Sequence, residues 1–457
     1  MACHCNEFSR AHLLRNAAAE AGRGLPAIEP GMPQPAGTGL NRRSFMLRAG
    51  LGMLSVYGAS RLGIRELQEG IAKAQGTDQR VLLTVFMDGG TDSLSLLAPT
   101  EDARYQQFRP TLKLATGDTT PFSEDPALRW HPQAIALDQL HQAEKVSVIP
   151  AVGYDGADQS HFTSRHYWEV GELDPHARTG WLGRLIDQIG TDDNPLQGLS
   201  LDGWLSPSLA TASRPVAAID GSSYDLWAPG VWGEVEDLMF DAVQSVGQAS
   251  AAGSDTGRAG AGRIADQSIT LRSQLLPFGG EVTPPVPYPE SDHWFPRNLA
   301  ALAAMLDGGL PIRCVSTNAP GGYDTHDNQL GSFGDDIRLT FDTLAAFQAD
   351  LESRGLADRV LTLVWSEFGR RPEQNGSGTD HGAAGAAFVI GTKAQGEMVG
   401  EFRGLDDLDE DDNLRHSTDF RAVYGSLLGQ WFDVDPGSVI PDAASFELPQ
   451  LVKDPAP

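Results

Sequence analysis

The chain reads as an α/β protein in three layers, helix, sheet and helix, with a largely parallel central sheet. Three observations predict this class. Apolar runs of strand length and β-branched content recur at Val81–Phe86, 146–152, 312–316, Val360–Trp365 and 383–390, as expected of strands buried on both faces. Between several of them lie segments with three- and four-residue apolar spacing, so strand, loop, helix and strand succeed one another as crossover units. Several runs also end in carboxylates or imidazoles. In open α/β sheets ligands bind beyond the carboxyl ends of the strands.

Composition narrows the function classes. The 457 residues carry a formal charge of −27, which argues against nucleic-acid binding, because neutralising phosphates needs clustered Lys and Arg. The same acidity suits an extracellular or saline setting. Three cysteines give no disulfide framework. Cys3, His4 and Cys5 can ligate a soft metal, but they lack a partner cluster and read as part of a tail; Cys314 stands alone in an apolar run.

Residues 1–76 read as a leader. The first forty are rich in Ala, Gly and Pro; Asn41, Arg42, Arg43, Ser44, Phe45 and Met46 then precede a short, weakly apolar stretch to Ala59. This looks like a twin-arginine export signal. The stretch ends before Arg61, well short of the roughly twenty residues that span a bilayer. The expectation is a protein that uses the twin-arginine export machinery, reaches the periplasm, cell surface or exterior, and has no transmembrane span once mature. The globular domain is expected over 77–435, with an irregular insertion at about 190–290 and a C-terminal tail over 436–457.

Within that domain, Val81–Phe86 ends in Met87, Asp88, Gly89, Gly90, Thr91 and Asp92, and the glycines permit a tight turn. Ile135, Leu137 and Leu140 predict a helix over 131–144, and strand 146–152 leads to Asp158, Gln159, Ser160 and His161. Tyr167, Trp168 and Val170 then mark one side of a helix, so Ser160 sits near a helix N-terminus; it can face an anion there or simply cap the helix. Between 190 and 290, short runs such as Val216–Ile219 alternate with a Gly/Ala/Ser-rich loop over 247–262 and a Pro-rich one over 283–289, which suits a mobile lid. Helix 295–306 and strand 312–316 follow, opening into Asp324 and His326. Ile337, Phe341, Leu344, Phe347 and Leu351 make 335–356 an amphipathic helix that packs back to Val360–Trp365. That strand stops at Glu367, Arg370 and Arg371 come next, and a polar loop over 375–379 delivers Asp380 and His381 ahead of strand 383–390. The acidic run 406–412 reads as a solvated loop, and 419–432 as a last helix.

Three strand ends therefore carry Asp88 and Asp92, then Asp324 and His326, then Glu367 with Asp380 and His381. Mixed carboxylates and imidazoles suit a divalent cation, such as zinc, magnesium, manganese or calcium. Such a cation can lower the pKa of a hydroxyl and neutralise charge on a phosphoryl or sulfuryl group. Arg370 and Arg371 are candidates to clamp that anion in fork geometry. Each residue also has a structural explanation: a satisfied core histidine, an ion-paired arginine, an acid capping a helix. The chain has no G-x-S-x-G elbow, P-loop, H-E-x-x-H or post-strand G-x-G-x-x-G, so serine hydrolase, nucleotidase and zincin chemistries lack their motifs.

The twin-arginine start, Phe86 to Pro99 (FMDGGTDSLSLLAP), Ser160 to Glu169 (SHFTSRHYWE), Gly180 to Arg184 (GWLGR), Tyr323 to Gln329 (YDTHDNQ), Ser366 to Arg371 (SEFGRR), Gly378 to Gly382 (GTDHG) and Thr418 to Tyr424 (TDFRAVY) together resemble the bacterial family filed as domain of unknown function 1501. That family is similar in fold to the alkaline phosphatase and sulfatase superfamily. The resemblance implies metal-dependent hydrolase ancestry. It makes Asp88 the first metal aspartate, Ser160 the nucleophile, Asp324 and His326 a metal pair, Glu367 the counterpart of a metal aspartate and His381 the last metal histidine. Two departures accompany it: Asp324 and His326 stand only two apart, and Phe368 occupies the place of a histidine ligand. Two functions follow, an exported metal-dependent hydrolase of anionic phosphate or sulfate esters, or a non-catalytic exported protein that keeps the fold for binding or surface assembly.

Overall fold

The structure is a computed structural model and describes residues 54–57, 80–191, 194–219, 233–254, 256–278 and 282–453. The paired arginines and Cys3, His4 and Cys5 lie outside the described residues, as does the rest of the expected leader apart from Leu54–Tyr57. In chain order the strands are β1 (Leu54–Tyr57), β2 (Val81–Phe86), β3 (Leu97–Ala98), β4 (Thr120–Pro121), β5 (Arg129–Trp130), β6 (Val146–Gly153), β7 (Gly198–Ser200), β8 (Val216–Ile219), β9 (Cys314–Asn318), β10 (Val360–Trp365), β11 (Arg370–Asn375), β12 (Gly378–His381), β13 (Gly385–Ile390) and β14 (Thr418–Asp419). Nine of them build one sheet in the order β1-β8-β7-β9-β2-β10-β13-β6-β14. Strands β3, β5 and β4 form a small second sheet, and β11 with β12 forms a hairpin.

Pairing is parallel along β8, β7, β9, β2 and β10, and again between β6 and β14. Strand β13 runs against both of its neighbours, β10 and β6, and β1 runs against β8. The carboxyl ends of β2, β6, β7, β9 and β10 consequently share one edge. Strand β13 is reversed because a polar hairpin, with no crossover helix, joins it to β10; a parallel return needs a longer connection.

Every residue of β2 and β10 is buried. Alternation sends Val81, Leu83 and Val85 into one core with Ile337, Phe341 and Leu344 of helix Gln329–Ser353 and Leu299 and Leu302 of helix Trp294–Asp307. Leu82 and Phe86 enter the opposite core with Trp168, Trp181, Leu185 and Tyr424, from helices Thr163–Val170, Trp181–Ile189 and Phe420–Ser426. The sheet is thus covered on both faces, as the sequence predicts.

Four expectations are corrected. The described part of 190–290 is built of regular elements: β7 and β8 belong to the main sheet, and Glu234–Ala251 and Thr256–Leu275 are helices. Small residues there serve helix packing, since a Cβ on Gly247 would lie 2.8 Å from the carbonyl oxygen of Gly262. The strand expected at 312–316 is displaced to Cys314–Asn318, in register with Leu82 to Phe86. The long helix starts earlier, at Gln329, where Gly331 and Gly334 blur the apolar periodicity. The last helix ends at Ser426 and passes into a π-helical turn over Leu427–Trp431. Beyond it, Leu451 and Val452 are buried, so the described part of the tail is docked. Among the described residues no helix is long and apolar enough to cross a membrane.

Candidate metal centre

The centre begins with the turn after β2. Gly89 and Gly90 hold φ of +120° and +76°, which glycine adopts without strain, and a Cβ on Gly89 would lie 2.3 Å from the backbone nitrogen of Asp324. The turn therefore lets two strand ends touch. Its amides point at Glu367: Gly89 N–H donates to Oε1 at 3.0 Å and Gly90 N–H to Oε2 at 3.0 Å. Glu367 is fully buried and also accepts from Ser366 Oγ at 3.1 Å. Burial opposes its charge, yet its bonds, led by that to His161, hold its carboxyl below the ordinary range.

Three imidazoles meet at Asp324. Its Oδ1 lies 2.9 Å from His326 Nε2, 3.2 Å from His381 Nε2 and 3.5 Å from His161 Nε2. Behind each ring stands an acceptor: Glu367 Oε1 is 2.7 Å from His161 Nδ1, Asp380 Oδ1 is 3.3 Å from His326 Nδ1, and the Gln159 carbonyl is 2.8 Å from His381 Nδ1. Imidazoles whose Nδ1–H is so engaged turn an Nε2 lone pair inward. His326 and His381 bring those Nε2 atoms to 3.0 Å of each other, so a proton or a cation has to lie between them. The donor set therefore fits a divalent metal of intermediate hardness. Among the described residues, His161, Asp324 and His381 offer ligand atoms within 4.8 Å of one another.

The electrostatics of the cluster are those of a carboxylate among donors. Burial opposes ionisation of Asp324, but the three imidazole bonds and the Arg370 charge hold its carboxyl far below the usual range. Burial lowers the His161 pKa, yet its bonds to Asp324 and Glu367 prevail and raise it to about 9. For His381 burial wins, helped by the charges of Arg370 and His161, and its pKa falls.

The sequence-predicted residues do gather at this edge, in altered roles. Asp324, His326 and His381 face the common point. Glu367 and Asp380, expected as ligands, stand behind His161 and His326. Asp88 lies at the rim, half exposed, 3.5 Å from Arg165 Nη1. Ser160 caps the helix, its Oγ accepting from the amides of Phe162 at 3.2 Å and Thr163 at 3.3 Å. Arg370 is corrected from anion clamp to internal strut. Its buried guanidinium donates to the carbonyls of Gly90, Thr379, Tyr323 and Gly89 and to Asp324 Oδ1 at 2.6 Å, and Nη1 also lies 3.5 Å from His326 Nε2, so the group is turned into the protein. Arg371 bonds through Nε to the His381 carbonyl at 3.3 Å. Asp92 forms a buried pair with Arg109 at 2.5 Å, away from the imidazoles. Sequence reasoning missed His161; its signal is that it follows β6 and leads a helix, at the same edge as the others.

The hairpin that carries Arg370 and His381 is closed tightly at its base by Gly369 and Gly382 and rests at Gly378 on the backbone of His326. A Cβ would lie 1.9 Å from the Ala384 oxygen at Gly369, 2.2 Å from the His326 carbonyl carbon at Gly378 and 2.6 Å from the Arg370 carbonyl carbon at Gly382. Its strands place Arg370 opposite His381.

Residues 289–443, which contain Asp324, His326, Glu367 and His381, match the family model whose description is "Protein of unknown function (DUF1501)". That is the family the motifs resemble. No curated protein matches the chain. The chain is similar to three solved structures at low identity. A protein in the alkaline phosphatase superfamily from Vibrio parahaemolyticus is 10% identical, with TM-score 0.35, over 85% of this chain and 80% of that one. PsFucS1 sulfatase from Pseudoalteromonas sp. is 12% identical, with TM-score 0.34, over 86% and 76%. The C-terminal periplasmic domain of EcEptC from Escherichia coli, in complex with Zn, is 10% identical, with TM-score 0.35, over 81% and 88%.

Proposed function

We propose that the chain is an exported, metal-dependent hydrolase of phosphate or sulfate esters. The observation that carries the proposal is the convergence of three acceptor-backed imidazoles on one Asp324 oxygen. His161, Asp324 and His381 would hold the ion, with His326 beside them. A divalent metal bound there supplies charge to neutralise ester oxygens and lowers the pKa of a neighbouring hydroxyl. Glu367 and Asp380 orient two of the rings. Arg370 fixes the Asp324 carboxylate. Ser160 Oγ, resting on two amides at a helix start, is the proposed nucleophile, because those N–H groups stabilise charge on the attacking oxygen. It would attack phosphorus or sulfur in line as the ester bond breaks, its proton ending on the departing alcohol. Water would then release phosphate or sulfate and restore the serine.

One observation favours a second function. Arg370 already neutralises Asp324 at 2.6 Å, as a non-catalytic exported protein that keeps the fold for binding or surface assembly would require. Metal analysis of the purified mature protein, paired with turnover of aryl phosphate and aryl sulfate, separates the two. Bound metal at about one ion per chain with turnover abolished by Ser160→Ala supports the hydrolase. Metal-free protein without turnover leaves only the second function.

A further inference from the structure

We infer that Arg165 is the guanidinium that holds the anionic group of the substrate, a task the sequence assigns to Arg370 and Arg371; this rests on the ester-hydrolase proposal and deepens it. Arg370 is fully buried, and its Nε, Nη1 and Nη2 each donate to groups inside the protein. Arg371 follows it on β11, so strand alternation turns it to the other face of the hairpin. Arg165 is placed differently. It stands four residues after His161 and four before Glu169, so all three line one side of the helix approach.

Its Nε donates to Glu169 at 2.9 Å, and its guanidinium carbon lies 4.6 Å from the centroid of the Phe86 ring. One edge and one face of the fork are thereby fixed. Its Nη1 faces the rim, where it makes a long contact of 3.5 Å to Asp88. Arg165 is 29% exposed and Asp88 is 47% exposed, so this is the open side of the centre. A planar guanidinium fork at this partly exposed position matches two non-bridging oxygens of a phosphate or sulfate monoester. His161, one helical turn away, is a member of the ligand triad, so the same anion can meet both.

The test uses the full-length metal-loaded protein, inorganic phosphate and inorganic sulfate by calorimetry, and aryl phosphate and aryl sulfate turnover. Arg165→Gln is expected to weaken anion binding about 10–100-fold and to raise KM more than it lowers kcat, with metal content unchanged. Arg165→Lys keeps the charge and the pairing with Glu169 but not the fork. It is expected to recover part of the loss, and it carries the test if the glutamine variant does not fold. If the unaltered protein binds an anion and turns over its ester, and both variants match it within twofold, this inference alone is overturned. If the unaltered protein binds neither anion and turns over neither ester, the hydrolase proposal fails and takes this inference with it.

Discussion

Asp92 and Asp324 each lie beyond a strand end and each accept from a buried arginine, yet their surroundings differ. Asp92 is fully buried, and both of its oxygens are matched: Arg109 at 2.5 and 2.9 Å, Ser95 Oγ at 2.6 Å and Gln329 Nε2 at 2.5 Å. Burial opposes its charge but Arg109 overcomes that, and the carboxyl stays below its ordinary range. Asp324 is 34% exposed, and the arginine and three imidazoles all approach Oδ1. The first arrangement balances donors against acceptors and closes. The second gathers four nitrogens on a single carboxylate oxygen at a partly exposed position, with two imidazole Nε2 atoms 3.0 Å apart. The presence of an ion pair therefore says less about function than whether its neighbours are matched.

Four experiments break or sharpen this contrast, beginning with the largest effect. Asp324→Ala is expected to abolish metal binding and lower kcat/KM by about 10³-fold while the protein still folds, as read by metal analysis and circular dichroism. Retained metal would remove Asp324 from the centre. Arg109→Ala should do the reverse, destabilising the fold by about 3–5 kcal/mol because it strands a buried charge, with a matching fall in the denaturation midpoint. Arg109 also bonds the carbonyls of Pro372 and Arg371, so the hairpin should loosen with it. Glu367→Gln, which weakens the support of His161, is expected to cost about 10–100-fold in metal affinity with little loss of structure.

The smallest effect concerns Asp202, another buried carboxylate, which accepts from Thr317 Oγ1 at 3.1 Å and the Asn318 amide at 3.2 Å. With no arginine bonded to it, burial prevails and raises its pKa to about 6. The folded state therefore holds this proton more tightly than the unfolded state. Ionisation of Asp202 costs nothing below the unfolded value near 3.8, and the cost grows as pH rises through 6. Asp202→Asn should raise thermal stability at pH 7 relative to pH 4, by about 1–2 kcal/mol. An equal effect at both pH values would mean that Asp202 titrates in the folded protein as it does in the unfolded chain.

Much of the fold was legible because burial on both faces leaves a sharp mark. Val81–Phe86 and Val360–Trp365 are strands with the predicted bounds, and the turns after them do meet, the Gly89 amide donating to Glu367. Strand direction left no such mark, although the short polar link between β10 and β13 was a clue to antiparallel pairing. The Gly- and Ala-rich stretch around Gly247 misled because small residues serve close helix crossings as well as loops. At the site, residue type and strand end located Asp324, His326 and His381. The difference between facing the centre and standing behind a ring, as Glu367 and Asp380 do, depends on side-chain direction, which neither composition nor spacing encodes. His161 was overlooked beside Ser160, where the hydroxyl drew attention from the imidazole.

The bare Cα positions at Gly369, Gly378 and Gly382 have a consequence for redesign. A methyl at Gly378 would push the β11–β12 unit off the His326 backbone, and one at Gly369 or Gly382 would spread the hairpin's own base; either displaces Arg370 and His381. Retuning this centre for another ion or ester therefore has little freedom along that ribbon. Variation has to come through the segments after β2 and β6, whose side chains reach the rim from the solvent side.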